Sequence, residues 1–190
     1  MKQQTKILVI GGGITGCSLL YHLTQLGVED CMLLEKHELT AGTTWHSAAL
    51  ISDFAQSSWQ VALHHRARQS IEKLEEETGL PTGFHRTGSI RLALNAEQLA
   101  EGHRFAGIAK YYGIPCELIP ADEVKRLHPL VSTTGIIGAT YTPDDGYVDP
   151  HQLTNSYANA ARQAGAEIHR HTPVTGLKQS SRGAWDVKTN

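Results

Sequence analysis

The sequence predicts an α/β fold built on a parallel sheet, and three observations lead there. A short β-branched run, Lys6-Ile7-Leu8-Val9-Ile10, feeds into Gly11-Gly12-Gly13-Ile14-Thr15-Gly16. A helical pattern follows, with Ile14, Cys17, Leu20 or Tyr21, Leu23 and Leu26 at three- and four-residue steps. A second apolar run, Cys31-Met32-Leu33-Leu34, then ends in Glu35. Strand, turn, helix and strand in this order make a β-α-β unit with parallel strands, since the helix returns the chain to its starting end. A continuously apolar strand is what burial on both faces demands. Gly27 stands where a left-handed helix cap belongs.

Composition agrees with a folded chain and removes several classes. The 190 residues carry 17 Lys+Arg against 19 Asp+Glu, with 40% hydrophobic and 19% charged residues, which excludes disorder. A net charge of −2 gives no basic face for nucleic acid. Cys17, Cys31 and Cys116 are odd in number and lack metal-type spacing, so a disulfide framework is not expected and a reducing compartment is. Residues 7–28 contain no Asp, Glu, Lys or Arg, as a membrane span or signal peptide would. Yet the glycines, Ser18, His22, Thr24 and Gln25 leave only Ile7–Ile10 as an unbroken apolar core, and no cleavage site follows. Neither a membrane nor a nucleic-acid partner is expected.

The glycine turn satisfies G-x-G-x-x-G in the context that gives the motif meaning. Gly11 allows a tight turn, Gly13 lets backbone approach a pyrophosphate, and Gly16 lets helix and strand pack closely. The helix start offers unpaired N–H groups and partial positive charge to phosphates. Glu35, 19 residues beyond Gly16, stands where a carboxylate accepts from ribose hydroxyls. An acid there favours FAD or NAD over NADP. The alternative is a parallel β-α-β unit that holds no ligand.

The segment after Glu35 separates the two dinucleotides. A nicotinamide enzyme would continue with a plain helix and a third parallel strand. This chain runs through Thr40-Ala41-Gly42-Thr43-Thr44-Trp45-His46-Ser47-Ala48-Ala49-Leu50, whose small and hydroxyl residues let backbone lie against a flat ligand. With the glycine motif before it, this stretch resembles the dimethylglycine dehydrogenase and sarcosine dehydrogenase group of FAD-dependent amine oxidoreductases. Leu74–Gly79, Gly83-Phe84-His85, Gly88–Ala93 and Asp145–Pro150 extend the resemblance over roughly the whole chain.

The resemblance implies a Rossmann-like FAD-binding domain and the roles of several residues. Ile14 and Thr15 would lie at the pyrophosphate turn, and Glu35 with Lys36 at the adenosine ribose. Gly42, Thr43, Thr44, Trp45, His46, Ser47, Ala48, Ala49 and Leu50 would line the flavin. His46 corresponds to the histidine that carries the flavin covalently through its 8α-methyl carbon, with Trp45 packed beside it. A neutral imidazole is the attacking form, so His46 is expected to be partly shielded from water. Val174 would contact the adenine side by its backbone. Ser47 and Ala49 depart from the group, which usually has Ala and Gly there.

Other histidines carry less chemistry. His64-His65 falls on a helix, where neighbours point apart, and His169-x-His171 lacks a third ligand, so no metal site is expected. The expected domains are residues 1–79 for the first cofactor segment, 80–148 for the start of an α+β substrate domain, and 149–190 for the second cofactor segment. Ser58–Thr78 reads as a helix with Trp59, Leu63, Ala67, Ile71 and Leu74 on its buried side. Phe84–Leu94 reads as a strand, Asn95-x-x-Gln98 as a capping box for a helix to about Tyr112, and Asp149-Pro150 as a helix start. Cys116–Ile119 and Gly135–Tyr141 read as strands, Pro120–Leu127 as a short helix, and Val174–Lys178 with Trp185–Thr189 as a hairpin turning at Ser180-Ser181-Arg182-Gly183.

The implied activity is oxidation of an N-methylated amino acid, dimethylglycine or sarcosine in type, by hydride transfer to FAD. Oxygen or an electron-transfer flavoprotein would take the electrons. The group needs several hundred more residues, so catalytic groups are expected beyond Asn190 and the chain reads as an inactive fragment. Met1 lies close to the first strand, so a cytoplasmic location is expected. Alternatives are a noncovalent FAD amine or amino-acid oxidase, and a nonenzymatic dinucleotide-binding remnant.

Overall fold

The computed structural model describes residues 2–181 and 183–190. Along the chain lie β1 (Ile7–Ile10), α1 (Ile14–Gln25), β2 (Cys31–Leu34), a 3-10 turn (Thr43–His46), β3 (Leu50–Ile51) and α2 (Ser58–Thr78). Then come β4 (His85–Arg86), β5 (Ser89–Ala93), α3 (Ala96–Tyr111), β6 (Glu117–Ile119) and α4 (Ala121–Leu127). The last six are β7 (Gly138–Thr142), β8 (Gly146–Tyr147), α5 (Pro150–Gln163), β9 (Glu167–His169), β10 (Val174–Gln179) and β11 (Trp185–Thr189). Two compact units result: Met1–Ala49, Leu74–Gly83 and Asp149–Asn190 form one, and Leu50–Lys73 with Phe84–Val148 the other. This grouping differs from the sequence division, since residues 50–73 go with the second unit. The reason is ionic and polar: Ser52 and Asp53 bond Asp145, and Arg68 bonds Asp53.

In the first unit the sheet order is β1-β2-β9, with both pairs parallel, as the β-α-β reading requires. All four residues of β2 are buried, but in β1 only Val9 is, and Ile10 is 51% exposed. The expectation of burial on both faces, made for the first strand, is therefore not met: among the described residues β1 pairs on one side only. Helices α1 and α5 pack on each other, with the Tyr21 and Tyr157 rings 5.4 Å apart. Ala158 and Ala161 of α5 are fully buried. The start of α5 is capped as its sequence predicts: the Asp149 side chain accepts from Gln152 N at 2.8 Å and Pro150 takes the first helical position. Strands β10 and β11 form the antiparallel hairpin; Arg182, in its turn, lies outside the described residues. Burial pushes the Cys17 thiol up to about 12, so it is an inert core residue, and all three cysteines are free.

The second unit contains two antiparallel sheets, β5-β7-β6 and β3-β8-β4. The strand expected over 84–94 is two strands, because Gly88 takes φ +73° and gives its N–H to Asp145 O at 2.8 Å. Helix α3 packs on the first sheet, and its cap matches the sequence: Asn95 Oδ1 accepts from Gln98 N, while Gln98 Oε1 accepts from Leu94 N. One core cluster gathers Val61, Phe105, Ala109 and Ile114, and another Ile119, Val124, Ile136 and Ala139.

Helix α2 corrects the expected buried side. Trp59 and Leu63 are 66% and 58% exposed, and Ala67 is exposed as well, whereas Val61, Arg68, Ile71 and Leu74 are buried. The buried stripe includes an arginine because Asp53, fully buried, meets it. Asp53 Oδ2 accepts from Arg68 Nε at 3.1 Å, and His65 Nδ1 lies 3.2 Å from the same oxygen. Glu72 Oε1 accepts from Arg68 Nη1 at 3.0 Å and from Arg86 Nη2 at 2.6 Å.

Removing the Arg68 charge leaves Asp53 buried without its main partner. Arg68→Met is expected to lower unfolding stability by about 3 kcal/mol. Asp53→Leu combined with Arg68→Met removes both charges and is expected to recover much of that loss in denaturant titrations. Glu75 gives a pH signature in the first unit. Its carboxyl sits below the usual range because the Thr82 hydroxyl and N–H donate to it, at 2.6 and 3.1 Å. A depressed carboxyl stabilises the fold above its unfolded value of about 4.3 and loses that contribution as pH falls through the lower folded value. Acid titration of Glu75→Gln should show a shallower loss of stability below about pH 4.5 than the parent chain.

Candidate cofactor site

The site is built from the turn leaving β1 and the loop leaving β2, at the carboxyl ends of two parallel strands, where open α/β sheets bind ligands. Gly11 takes φ +108°, a conformation that L side chains avoid, and its N–H is held by Leu34 O at 2.8 Å. A Cβ on Gly16 would lie 2.0 Å from Gly11 O, so helix α1 can start this close only without one. A Cβ on Gly12 would meet Leu39 at 2.5 Å, and one on Gly13 would meet Thr44 Oγ1 at 2.9 Å. Three glycines thus give three close approaches.

Glu35 closes the turn from the other strand. Its Oε2 accepts from Gly12 N at 2.6 Å and its Oε1 from His37 N at 2.8 Å. Each oxygen keeps a lone pair for a further donor such as a ribose hydroxyl. Helix α1 begins at Ile14 with Gly13 as its cap, which brings no side chain of its own. The Ile14 N–H is taken instead by Thr44 Oγ1 at 3.0 Å. Thr15 and Lys36 are exposed, and Val174 is half-buried at the start of β10.

The loop after β2 is folded back on the turn. Thr40 N donates to Gly12 O at 3.0 Å while Thr40 holds φ +71°, a left-handed conformation that is rare for a β-branched residue. Leu39 and Thr40 are buried. Sequence reasoning missed Leu39 and assigned Thr40 no role; only the closeness of Leu39 to Gly12 in space reveals it. Beyond them Gly42, Thr43, Trp45, His46, Ser47 and Ala48 are exposed, and Thr44 alone of the 3-10 turn is buried. His46 is therefore not shielded, contrary to expectation, because it lies on the outer side of a one-turn helix. Its ring centroid is 5.0 Å from that of Trp45, and its Nδ1 is 3.2 Å from Gly42 O. Leu50, the last residue expected at the flavin, begins β3 in the second unit and is 74% exposed.

An absent group can be tested against this geometry. A turn without side chains, a helix start without a side chain of its own cap residue, and a carboxylate between two backbone N–H groups fit the diphosphate and ribose of a dinucleotide. The histidines offer no metal instead: His169 Nε2 pairs with Glu167 and His171 Nε2 with Glu38, each at 2.8 Å. Among the described residues no group of three His, Cys, Asp or Glu side chains can hold a metal, and no helix is long and apolar enough to cross a membrane.

Ala49 tests the strain in the loop. It stands at φ +57°, with its N–H bonded to Ser47 Oγ at 2.9 Å. Ala49→Gly is expected to raise stability by about 1 kcal/mol, read as a higher unfolding midpoint, because glycine adopts that φ without a Cβ clash.

Comparison with known proteins agrees with the geometry. Human mitochondrial dimethylglycine dehydrogenase is 40% identical over 188 residues, covering 99% of this chain and 22% of the relative. Human mitochondrial sarcosine dehydrogenase is 39% identical over 173 residues, covering 90% of this chain and 19% of that protein. The chain therefore spans about a fifth of the length of these curated relatives. Among solved structures, L-proline dehydrogenase from P. horikoshii superposes with a TM-score of 0.91 at 29% identity, over 100% of this chain and 50% of its own. Glycine oxidase from Geobacillus kaustophilus gives a TM-score of 0.80 at 25% identity, over 99% and 52%. Residues 6–190 match the family described as DAO, FAD dependent oxidoreductase, and the chain belongs to that family of FAD flavoproteins.

Proposed function

We propose that this chain is the cofactor-gripping part of a longer enzyme that oxidises an N-methylated amino acid of the dimethylglycine or sarcosine type, with FAD held covalently by His46. FAD, when bound, supplies the hydride acceptor; the protein supplies grip, orientation and electrostatics. Glu35 with Lys36 takes the adenosine ribose, and Gly11, Gly13, Thr15 and Gly16 the diphosphate, with Ile14 lining the turn while its own N–H is held by Thr44. Gly42 to Leu50 serves the flavin end and Val174 the adenine side. Substrate and catalytic groups belong to the part of the relatives' length that this chain does not cover. Oxygen or an electron-transfer protein then reoxidises the flavin.

The observation that carries the covalent reading is the His46 hydrogen bond. A carbonyl oxygen only accepts, so the contact of 3.2 Å to Gly42 O requires Nδ1 to carry the proton. In the neutral ring Nε2 then keeps its lone pair, which makes it the nucleophilic nitrogen. The exposure of His46 favours a second reading, a noncovalent FAD amine or amino-acid oxidase.

The test uses full-length protein purified with its flavin. Acid precipitation should leave the pellet yellow, and mass spectrometry of its peptides should place the flavin on His46. His46→Asn should release all flavin into the supernatant while native protein still binds FAD. A colourless parent pellet from yellow native protein selects the noncovalent reading.

A further inference from the structure

We propose that Thr44 is a positioning residue that couples the glycine turn to His46, so that the imidazole is aimed only while the Thr44 hydroxyl caps helix α1. The proposal rests on the cofactor reading above for its consequence and on the geometry for its substance. From Ala41 to Ala48 every residue is exposed except Thr44, which is 9% exposed. The turn also lies beside α5, and Thr44 is the one side chain of the turn that faces inward. Its side-chain anchor is Thr44 Oγ1, 3.0 Å from Ile14 N. Gly13 makes room for it, since a Cβ there would come within 2.9 Å of that oxygen.

The same residue organises the turn that carries the histidine. Thr44 O accepts from Ser47 N at 3.2 Å, and Gly42 O, two residues before Thr44, accepts from His46 Nδ1 at 3.2 Å. The helix cap, the 3-10 turn and the ring orientation are thus three bonds on five residues, two of them made by Thr44. The other fastening of the loop, Thr40 N to Gly12 O, lies four residues earlier and holds a strained φ of +71°. A strained residue persists only where its surroundings hold it, and the Thr44 bond is one of those holds. Without the Thr44 hydroxyl, Ile14 N–H turns to water and the turn loses its side-chain bond to α1.

The test compares Thr44→Val, which keeps the shape and loses the hydroxyl, with Thr44→Ser, which keeps the hydroxyl; Thr44→Ala replaces the valine variant if that does not fold. Two readouts are taken on the full-length protein. The first is the rate at which flavin-free protein becomes covalently labelled with added FAD. The second is the imidazole nitrogen spectrum of His46 without flavin, assigned by its loss in His46→Gln. Expected for Thr44→Val are about a tenfold slower attachment, the worth of one hydrogen bond at the upper end of its usual range, and loss of the single Nδ1–H tautomer. Thr44→Ser should restore both. Unchanged tautomer and unchanged attachment in Thr44→Val overturn the proposal. If the parent protein attaches no flavin, the covalent reading falls by itself. The tautomer comparison then decides Thr44: scrambling in the valine variant with rescue by serine supports it, and no change overturns it.

Discussion

The closeness of the β1 turn to the loop after β2 is the constraint on which the first unit depends. A Cβ on Gly16 would stand 2.0 Å from Gly11 O, well inside any tolerable contact. The absent side chains let α1 start immediately after β1, let Glu35 reach Gly12 N, and let Leu39 and Thr44 lie on the turn. Hydrogen bonds then lock what the glycines permit. Both strands of the parallel pair therefore end at one place, where a turn without side chains, the start of α1 and one carboxylate meet. That is chemistry suited to phosphates and ribose rather than to a substrate's reacting atoms.

Much of this unit was legible in the sequence because its determinants are local. The glycine spacing, Glu35 at the end of an apolar run, and the Asp149-Pro150 helix start each act within a few residues, as does the Asn95/Gln98 helix start in the second unit. The face of α2 was not legible, for a nonlocal reason. Arg68 occupies a core position that periodicity assigns to an apolar residue, and Asp53, fifteen residues earlier, makes that tolerable. Hydrophobic spacing then points to Trp59 and Leu63, which the structure leaves exposed. The break between β4 and β5 has a similar origin, since Gly88 turns there to give its N–H to Asp145, far along the chain.

The candidate site divides in the same way. Its membership was readable from residue types, but the work done by each residue was not. Thr44 reads as one of several small residues for a flat ligand, yet its hydroxyl faces the helix start. Thr40 gives no sign in sequence of a left-handed backbone, because β-branched residues almost never adopt one. Ala49 is the informative intermediate case. The resemblance favours glycine there, and φ +57° supplies the physical reason for that preference.

The histidines differ in the group that faces the ring. His65, His169 and His171 each lie against a carboxylate, that of Asp53, Glu167 and Glu38. A carboxylate oxygen accepts, so it fixes a hydrogen bond on the ring nitrogen that faces it. His46 instead meets the carbonyl of Gly42, a neutral acceptor. A carbonyl only accepts, so it selects Nδ1 as the nitrogen that bears the proton and orients the ring. In His46 the carbonyl that faces the ring belongs to its own turn, and that turn fixes which nitrogen is left for bonding.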